Sequence, residues 1–168
     1  LSKEELKTCF DDWFDELRHY ITYRCYDPEL ATDIVQEVFV RVWEKDIRYQ
    51  GKQTRSLLYK MAGNLWVSQY RKQQNELKYR MAFHWQEGHN EIEEDLNYNE
   101  LKDQYEKALR EMNEKRRSVF LMSRMDQLSY REIANRLGIS EKAVEKRMHL
   151  ALRELRKKLN YGKQETRS

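Results

Sequence analysis

An all-α protein is predicted by three observations on this 168-residue chain. It has one proline and five glycines, it lacks alternating β-branched runs between turn residues, and its apolar side chains recur at helical spacing through most of its length. A charged fraction of 36% leaves enough apolar residues for compact helical cores, and the length suits one medium or two small domains. Two helical domains are expected, over about 1–75 and about 107–160, joined by an acidic linker at 76–106 and followed by a frayed tail at 161–168. The net charge of +3 conceals strong blocks: residues 1–46 carry 6 basic and 12 acidic side chains, residues 47–75 carry 6 basic and none acidic, residues 76–106 carry 3 and 9, and residues 107–168 carry 17 and 8. Each basic block is a candidate surface for phosphate.

The first predicted helix, from Glu4 to about Tyr26, places Phe10, Trp13, Phe14, Leu17, Tyr20, Ile21 and Arg24 at helical spacing. Asp27 and Pro28 break it, because proline suits a first turn and not a helix interior. The second, about Glu29 to Lys45, has Leu30, Ile34, Val35, Val38, Val42 and Trp43 as its expected buried side. Its other face presents Asp33, Gln36, Glu37, Arg41 and Glu44, an acidic ridge that suits a basic protein partner and repels phosphate. A turn through Tyr49 to Thr54 leads to a third helix, about Ser56 to Gln73, burying Leu58, Met61, Ala62 and Leu65.

The third helix carries the more unusual chemistry. Lys60, Asn64 and Arg71 share a face, Tyr59, Trp66 and Tyr70 place aromatic rings beside them, and Arg48, Tyr49, Lys52 and Arg55 precede them in the turn. Cations interleaved with aromatics can hold a nucleic-acid backbone and stack exposed bases, while the Asn64 amide can read a base edge. The following NELKYRMAFHWQ either continues this helix or packs loosely. EGHNEIEEDLNYNE (87–100) is polar and acidic, as a solvated linker would be.

The last domain contains SYREIANRLGISEKAVEKRMHLALRELRKKL, residues 129–159, which reads as two helices around a tight turn. Ser129 and Glu132 form a capping box, Ile133, Ala134 and Leu137 make an apolar stripe, Gly138 permits the left-handed conformation that ends a helix, and Ser140 caps the next. Ala143, Val144, Met148, Ala151, Leu152 and Leu155 form the back of that helix, leaving Lys142, Glu145, Lys146 and His149 in front. This is the pattern of a helix-turn-helix entering a major groove.

Taken together, ATDIVQEVFVRVWEK (31–45), RSLLYKMAGNLWVSQYRKQ (55–73) and the terminal helix-turn-helix resemble the extracytoplasmic-function group of bacterial RNA polymerase sigma factors, over about 10–75 and 105–158. The resemblance implies a region 2-like domain that binds core RNA polymerase and opens the minus-ten element. It also implies a region 4-like domain that binds the minus-thirty-five element of promoter DNA. Asp33, Gln36 and Glu37 match the family's polymerase-docking DxxQE positions. Asn64 falls where a flipped base is captured, with Arg48, Lys52, Lys60 and Arg71 beside it for the minus-ten strand. Ser140, Lys142, Glu145, Lys146, Arg147 and His149 match positions that face bases or phosphates of the minus-thirty-five duplex. The turn before the third helix departs from the family pattern, reading IRYQGKQTRSLL where an aromatic and an FRG-like run are usual. An anti-sigma partner is implied by the resemblance alone.

Other functions are weaker fits. A helix-turn-helix regulator that is not a polymerase subunit needs a receiver or ligand domain in front, normally with strands. A protein-binding helical adaptor predicts no DNA affinity at either basic block. Glu16 and His19 form one ExxH, but a di-metal bundle needs a second. With no nucleophile motif, phosphate loop or metal-spaced Cys/His cluster, neither catalysis nor a cofactor is expected. Cys9 and Cys25 suggest neither a disulfide framework nor a zinc site, and no leader or membrane-spanning run is evident, so a cytoplasmic protein is expected.

Overall fold

The computed structural model describes the backbone of residues 1–81 and 98–165, and among these residues the regular structure is helix alone. Helix α1 (Lys3–Cys25) begins with a capping box between Ser2 and Glu5 and ends on Tyr26, whose φ of 58° places it in the left-handed region. Helix α2 (Pro28–Glu44) starts where Asp27 accepts hydrogen bonds from the Glu29 and Leu30 amides, with Pro28 in the first turn, as the Asp-Pro break predicts. Helix α3 (Lys52–Met81) begins four residues earlier than expected and continues well past Gln73. Its entry is tied down by the buried Thr54, whose Oγ1 accepts from the Gln50 amide at 2.6 Å and donates to the Arg48 carbonyl at 3.3 Å. The helix thus absorbs the first part of NELKYRMAFHWQ, while residues 82–97, including most of the acidic stretch, lie outside the described residues.

Two further helices, α4 (Tyr98–Glu111) and α5 (Glu114–Arg124), precede the helix-turn-helix of α6 (Tyr130–Leu137) and α7 (Glu141–Glu165). Asn113 caps α5 through the Lys115 amide at 3.0 Å. The Ser129–Glu132 capping box forms as expected, Gly138 adopts φ of 63°, and the Ile139 amide reaches back to the Ala134 carbonyl at 3.1 Å. That bond closes a left-handed helix end of the kind glycine permits without a Cβ penalty. The Ala143 amide donates to Ser140 Oγ at 3.1 Å. Helix α7 runs into the residues expected to fray, ending at Glu165.

The core of the first module is built from Leu17 and Ile21 of α1, Ile34, Val35, Val38 and Val42 of α2, and Leu58, Ala62 and Leu65 of α3, all buried. The second module buries Ala108, Leu109 and Met112 of α4, Val119 and Met122 of α5, Ile133 and Ala134 of α6, and Val144, Met148, Ala151 and Leu155 of α7. Buried side chains of the two modules form one continuous cluster, because α1 packs on α5 and α3 packs on α6. Trp43 departs from the sequence reading: it lies on the exposed side of α2, 45% accessible. At position 43 it stands one helical turn beyond Val40 and two beyond Gln36, which places it on the outward stripe rather than with Val42.

The capping box at α6 yields a stability prediction. Ser129→Ala should cost about 1 kcal/mol in a urea melt at neutral pH. Hydrogen bonds from Ser129 hold the Glu132 carboxyl below its ordinary value of 4.5, so its contribution is fully present above that pH and is lost as pH falls through the lower folded value. Wild type and Glu132→Ala should therefore differ in melting temperature at neutral pH and converge as the buffer is taken below about pH 4.

Candidate nucleic-acid and protein interfaces

Three outward surfaces emerge from the packing. On α3, Lys60, Asn64 and Arg71 are exposed along one face, and Arg48 and Lys52 are exposed at its entry. The helix phase that buries Leu58, Ala62 and Leu65 forces this, since residues three and four apart share a side. Arg55 behaves differently: its guanidinium lies over the Trp13 ring, 4.9 Å from the centroid, and serves the packing of α3 on α1.

The aromatics divide. Tyr59 and Trp66 are only 2% and 6% accessible and belong to the core, whereas Tyr70 is 47% accessible beside Trp66, with ring centroids 5.4 Å apart. Tyr59 meets the Tyr20 ring in a tilted contact with centroids 5.0 Å apart, and its hydroxyl approaches Arg136 of α6 at 3.5 Å. Burial pushes the Tyr59 phenol above its ordinary pKa, and neighbouring Glu16 adds to the shift. A three-ring stacking platform is therefore not available: Tyr70 alone of the three is accessible for a base.

The second surface is the outward stripe of α2. Asp33 and Gln36 are exposed, and Glu37 is half-buried and pairs with Arg41 at 2.7 Å. Beside Gln36 lies an apolar groove shared with α1 and lined by Leu6, Phe10, Phe39, Val40 and Trp43. Phe10 stacks on Phe14 at 4.4 Å and meets Phe39 at 5.0 Å. The sequence reading places Trp43 on the buried side of α2 and Phe10 only in the helically spaced series of α1, and it misses this groove. The signal was the i, i+3, i+7 register that joins Val40 and Trp43 to Asp33 and Gln36.

The third surface is the front of the helix-turn-helix. Ser140, Lys142, Glu145, Lys146 and His149 are exposed, and they cluster on the N-terminal half of α7, where Ser140 caps the Ala143 amide. Arg147 departs from the group: it is half-buried and faces α3, lining a cavity of about 210 Å³ together with Lys60 and Asn64.

That cavity is one part of a polar seam between the modules. Arg24 of α1, 5% accessible, donates from Nε and Nη2 to the Glu114 carboxylate at 2.5 and 2.9 Å and from Nη1 to the Tyr20 hydroxyl at 2.9 Å. Burial pulls the Arg24 pKa down, but Glu114 and Tyr20 outweigh it and the guanidinium is held above its ordinary value. Arg136 of α6 pairs with Glu16 of α1 at 2.9 Å, and the Tyr23 hydroxyl donates to Asp126 at 2.7 Å. Burial pushes the Glu16 carboxyl up despite Arg136 and Arg55, so this pair is less favourable than its distance suggests. Glu16 is thereby engaged by Arg136. His19 is exposed, and no group of ligating side chains is assembled among the described residues.

Two family models match the chain: the sigma-70 region 2 model over residues 9–76 and the sigma-70 region 4 model over residues 102–155. The ferric citrate uptake sigma factor FecI of Escherichia coli is 30% identical over 149 residues, covering 87% of this chain and 86% of FecI. The chain belongs to the sigma-70 family, in its extracytoplasmic-function group. The RNA polymerase sigma factor YlaC of Bacillus subtilis is 24% identical, with 98% of each chain covered. In fold, this sigma factor is similar to RpoE of Bartonella quintana, solved in complex with the anti-sigma factor NepR, with a TM-score of 0.61, 18% identity, and 92% of this chain and 96% of that one covered. Membership accounts for the presence of two helical modules and places the exposed face of α3 in region 2 and the α6–α7 pair in region 4. The sigma factor directs promoter recognition and transcription initiation.

The division of the α3 aromatics is directly measurable in this sigma factor. Trp66→Ala should destabilise it by about 3 to 5 kcal/mol in urea unfolding, as removal of a core indole does. Tyr70→Ala should change stability by less than about 0.5 kcal/mol, as an exposed substitution does.

Proposed function

We propose that this sigma factor docks on core RNA polymerase through the α2 stripe and reads promoter DNA with two separate cationic faces, one on α3 and one on α7. The observation that carries this reading is the segregation of charge by surface: the exposed face of α3 is cationic, the outward stripe of α2 is acidic and apolar, and the front of α7 is mixed but basic. Asp33, Gln36 and Glu37 supply the polar part of the docking surface, and the neighbouring groove of Phe10, Val40 and Trp43 supplies its apolar part. A carboxylate-rimmed apolar stripe suits a protein partner with basic flanks and resists a phosphate backbone.

Along the melted minus-ten strand, Arg48, Lys52, Lys60 and Arg71 hold phosphates, Asn64 captures an extruded base, and Tyr70 offers the stacking ring. At the minus-thirty-five duplex, Ser140, Lys146 and the α7 N-terminus bind phosphate, while Lys142, Glu145 and His149 approach base edges. Glu145 as an acceptor suits a cytosine amino group. Residues 1–75 form the polymerase and minus-ten module in this reading, residues 76–106 the linker, and residues 107–160 the minus-thirty-five module. The role is that of an initiation factor without catalysis or a cofactor of its own. An anti-sigma factor is a fitting regulator, as the RpoE relative is bound to one. Its place of work is the cytoplasm, and no described helix is long and apolar enough to cross a membrane.

Run-off transcription with purified core polymerase on a promoter library tests the reading as a whole; transcripts that depend on the added chain are expected, and their absence would refute it. Glu37→Lys should weaken core binding in a pull-down or fluorescence titration. Asn64→Ala should leave core affinity unchanged and slow strand opening, followed by permanganate footprinting; equal loss of both would make Asn64 structural. Lys146→Ala should weaken duplex binding and reduce the slope of log affinity against log salt by about 1.

A further inference from the structure

A further cavity, of about 610 Å³, lies where α3 meets the end of α1 and the junction of α4 with α5. Tyr26, Trp66, Val67 and Tyr70 give its wall ring and aliphatic surface, and Arg110 and Asn113 give it polar groups. Lys60, Asn64 and Arg71 do not line it, so it is separate from the cationic face of α3. A cavity of this volume falls among those that hold drug-sized ligands and is too large to close around a bare anion.

Most of the charge around this cavity is already engaged. Arg24 and Glu114 bond to each other, Arg117 is filled by backbone carbonyls, and Glu111 pairs with Lys158 at 2.8 Å. Arg110 is the exception. It is exposed, its guanidinium stands 5.2 Å from the centre of the Tyr26 ring, and no carboxylate pairs with it among the described residues. Tyr70 is likewise open, 47% accessible and held only by its tilted contact with Trp66. Asn113 adds direction: its Oδ1 accepts from the Lys115 amide at 3.0 Å as the cap of α5, which leaves Nδ2 and its hydrogens to give. An open ring stacks a base, and an unpaired guanidinium takes a phosphate. An amide with only donors to spare favours a base edge that carries two acceptors. Guanine presents such an edge at O6 and N7, whereas adenine replaces one acceptor with an amino donor.

We propose that this cavity binds a free guanine nucleotide, with its base on Tyr70, the O6 and N7 edge on Asn113 and the phosphate on Arg110. The inference shares Tyr70 with the proposed function and otherwise stands apart from it. A single strand of nucleic acid offers the same chemistry of base and phosphate. One unpaired cation suits the phosphate of one nucleotide, while a continuing strand would carry its next phosphates toward Glu111 and Glu114 at the cavity wall.

Equilibrium dialysis of the full chain against GMP, AMP, guanosine and orthophosphate tests it. GMP should be retained at millimolar concentration, and more tightly than AMP. Tyr70→Ala should weaken GMP and guanosine alike by about tenfold, the worth of one stacked base. Arg110→Ala should weaken GMP by about tenfold and leave guanosine unchanged. Both residues are exposed, so both variants keep the fold. Asn113→Asp retains a good helix cap while exchanging donors for acceptors, and it should abolish the preference for GMP over AMP. No retention of GMP, or retention no better than that of orthophosphate, would overturn the site. Tyr70-dependent binding of a mixed-sequence single strand with no binding of GMP would give the ring to DNA and overturn the free-nucleotide assignment. GMP binding without strand binding would uphold the site and remove Tyr70 from the proposed function instead.

Discussion

Arg117 is the interaction on which the arrangement of the two modules depends. It is 5% accessible and spends its whole guanidinium on backbone carbonyls. Nε donates to Tyr23 at 2.7 Å, Nη1 to Leu109, Arg110 and Met112 at 3.2, 3.1 and 3.0 Å, and Nη2 to Arg24. These carbonyls lie at or just past the C-terminal ends of α1 and α4, where intrahelical donors run out and the helix dipole also favours a cation. One side chain of α5 thus satisfies the ends of two helices that meet at the module boundary. Burial lowers the Arg117 pKa, and the carbonyls are what keep the buried charge tolerable. The Tyr26 ring adds to this, lying 4.6 Å under the guanidinium and 5.2 Å from that of Arg110. The left-handed backbone of Tyr26, uncommon for an aromatic residue, turns the chain from α1 into α2 at this point.

From that anchor the outward surfaces follow by helix phase. Packing α1, α2 and α3 around Leu17, Ile21, Ile34, Val38 and Leu58 leaves α2 with one stripe that none of the described elements covers, and α3 with one face of cations. Two of the three rings proposed for base stacking were drawn inside, because a ring at the same helical phase as Ala62 and Leu65 removes more apolar area from water in the core than it could cover on the surface. Trp43 shows the converse. At its phase no described helix lies over it, so the indole stays outside and widens the apolar part of the α2 stripe.

Local chemistry was the legible part of this sequence. The α6–α7 caps, the Gly138 turn, the Asp27–Pro28 break and, Trp43 apart, the inward series of α2 each depend on residues within a few positions of one another, and they form as read. The sigma-70 resemblance was likewise carried by short contiguous runs. What could not be read was long-range. Arg117 looks like one of many cations in a basic block, and only its position between two helix ends reveals it as buried. Gly63 looks like a weak point in a helix until Arg24, 39 positions earlier, is seen crossing it. Arg147 joins the recognition-helix residues only through the family resemblance, and the packing of α3 against α6 turns it inward.

Charge acts locally in this molecule, and that explains why a net value of +3 says so little about partners. At physiological ionic strength the Debye length is about 8 Å, less than the width of one helix with its side chains. The acidic stripe of α2 and the cationic face of α3 therefore do not cancel, although they belong to the same module. Each presents its own field to whatever approaches within a few ångströms. In the proposed reading a polymerase and a promoter bind this sigma factor at once without competing for a surface, since each is repelled by the face proposed to attract the other. The same screening length makes the cavity between α3 and α7 the place where repulsion is least weakened, because its cations lie close together with part of the solvent excluded.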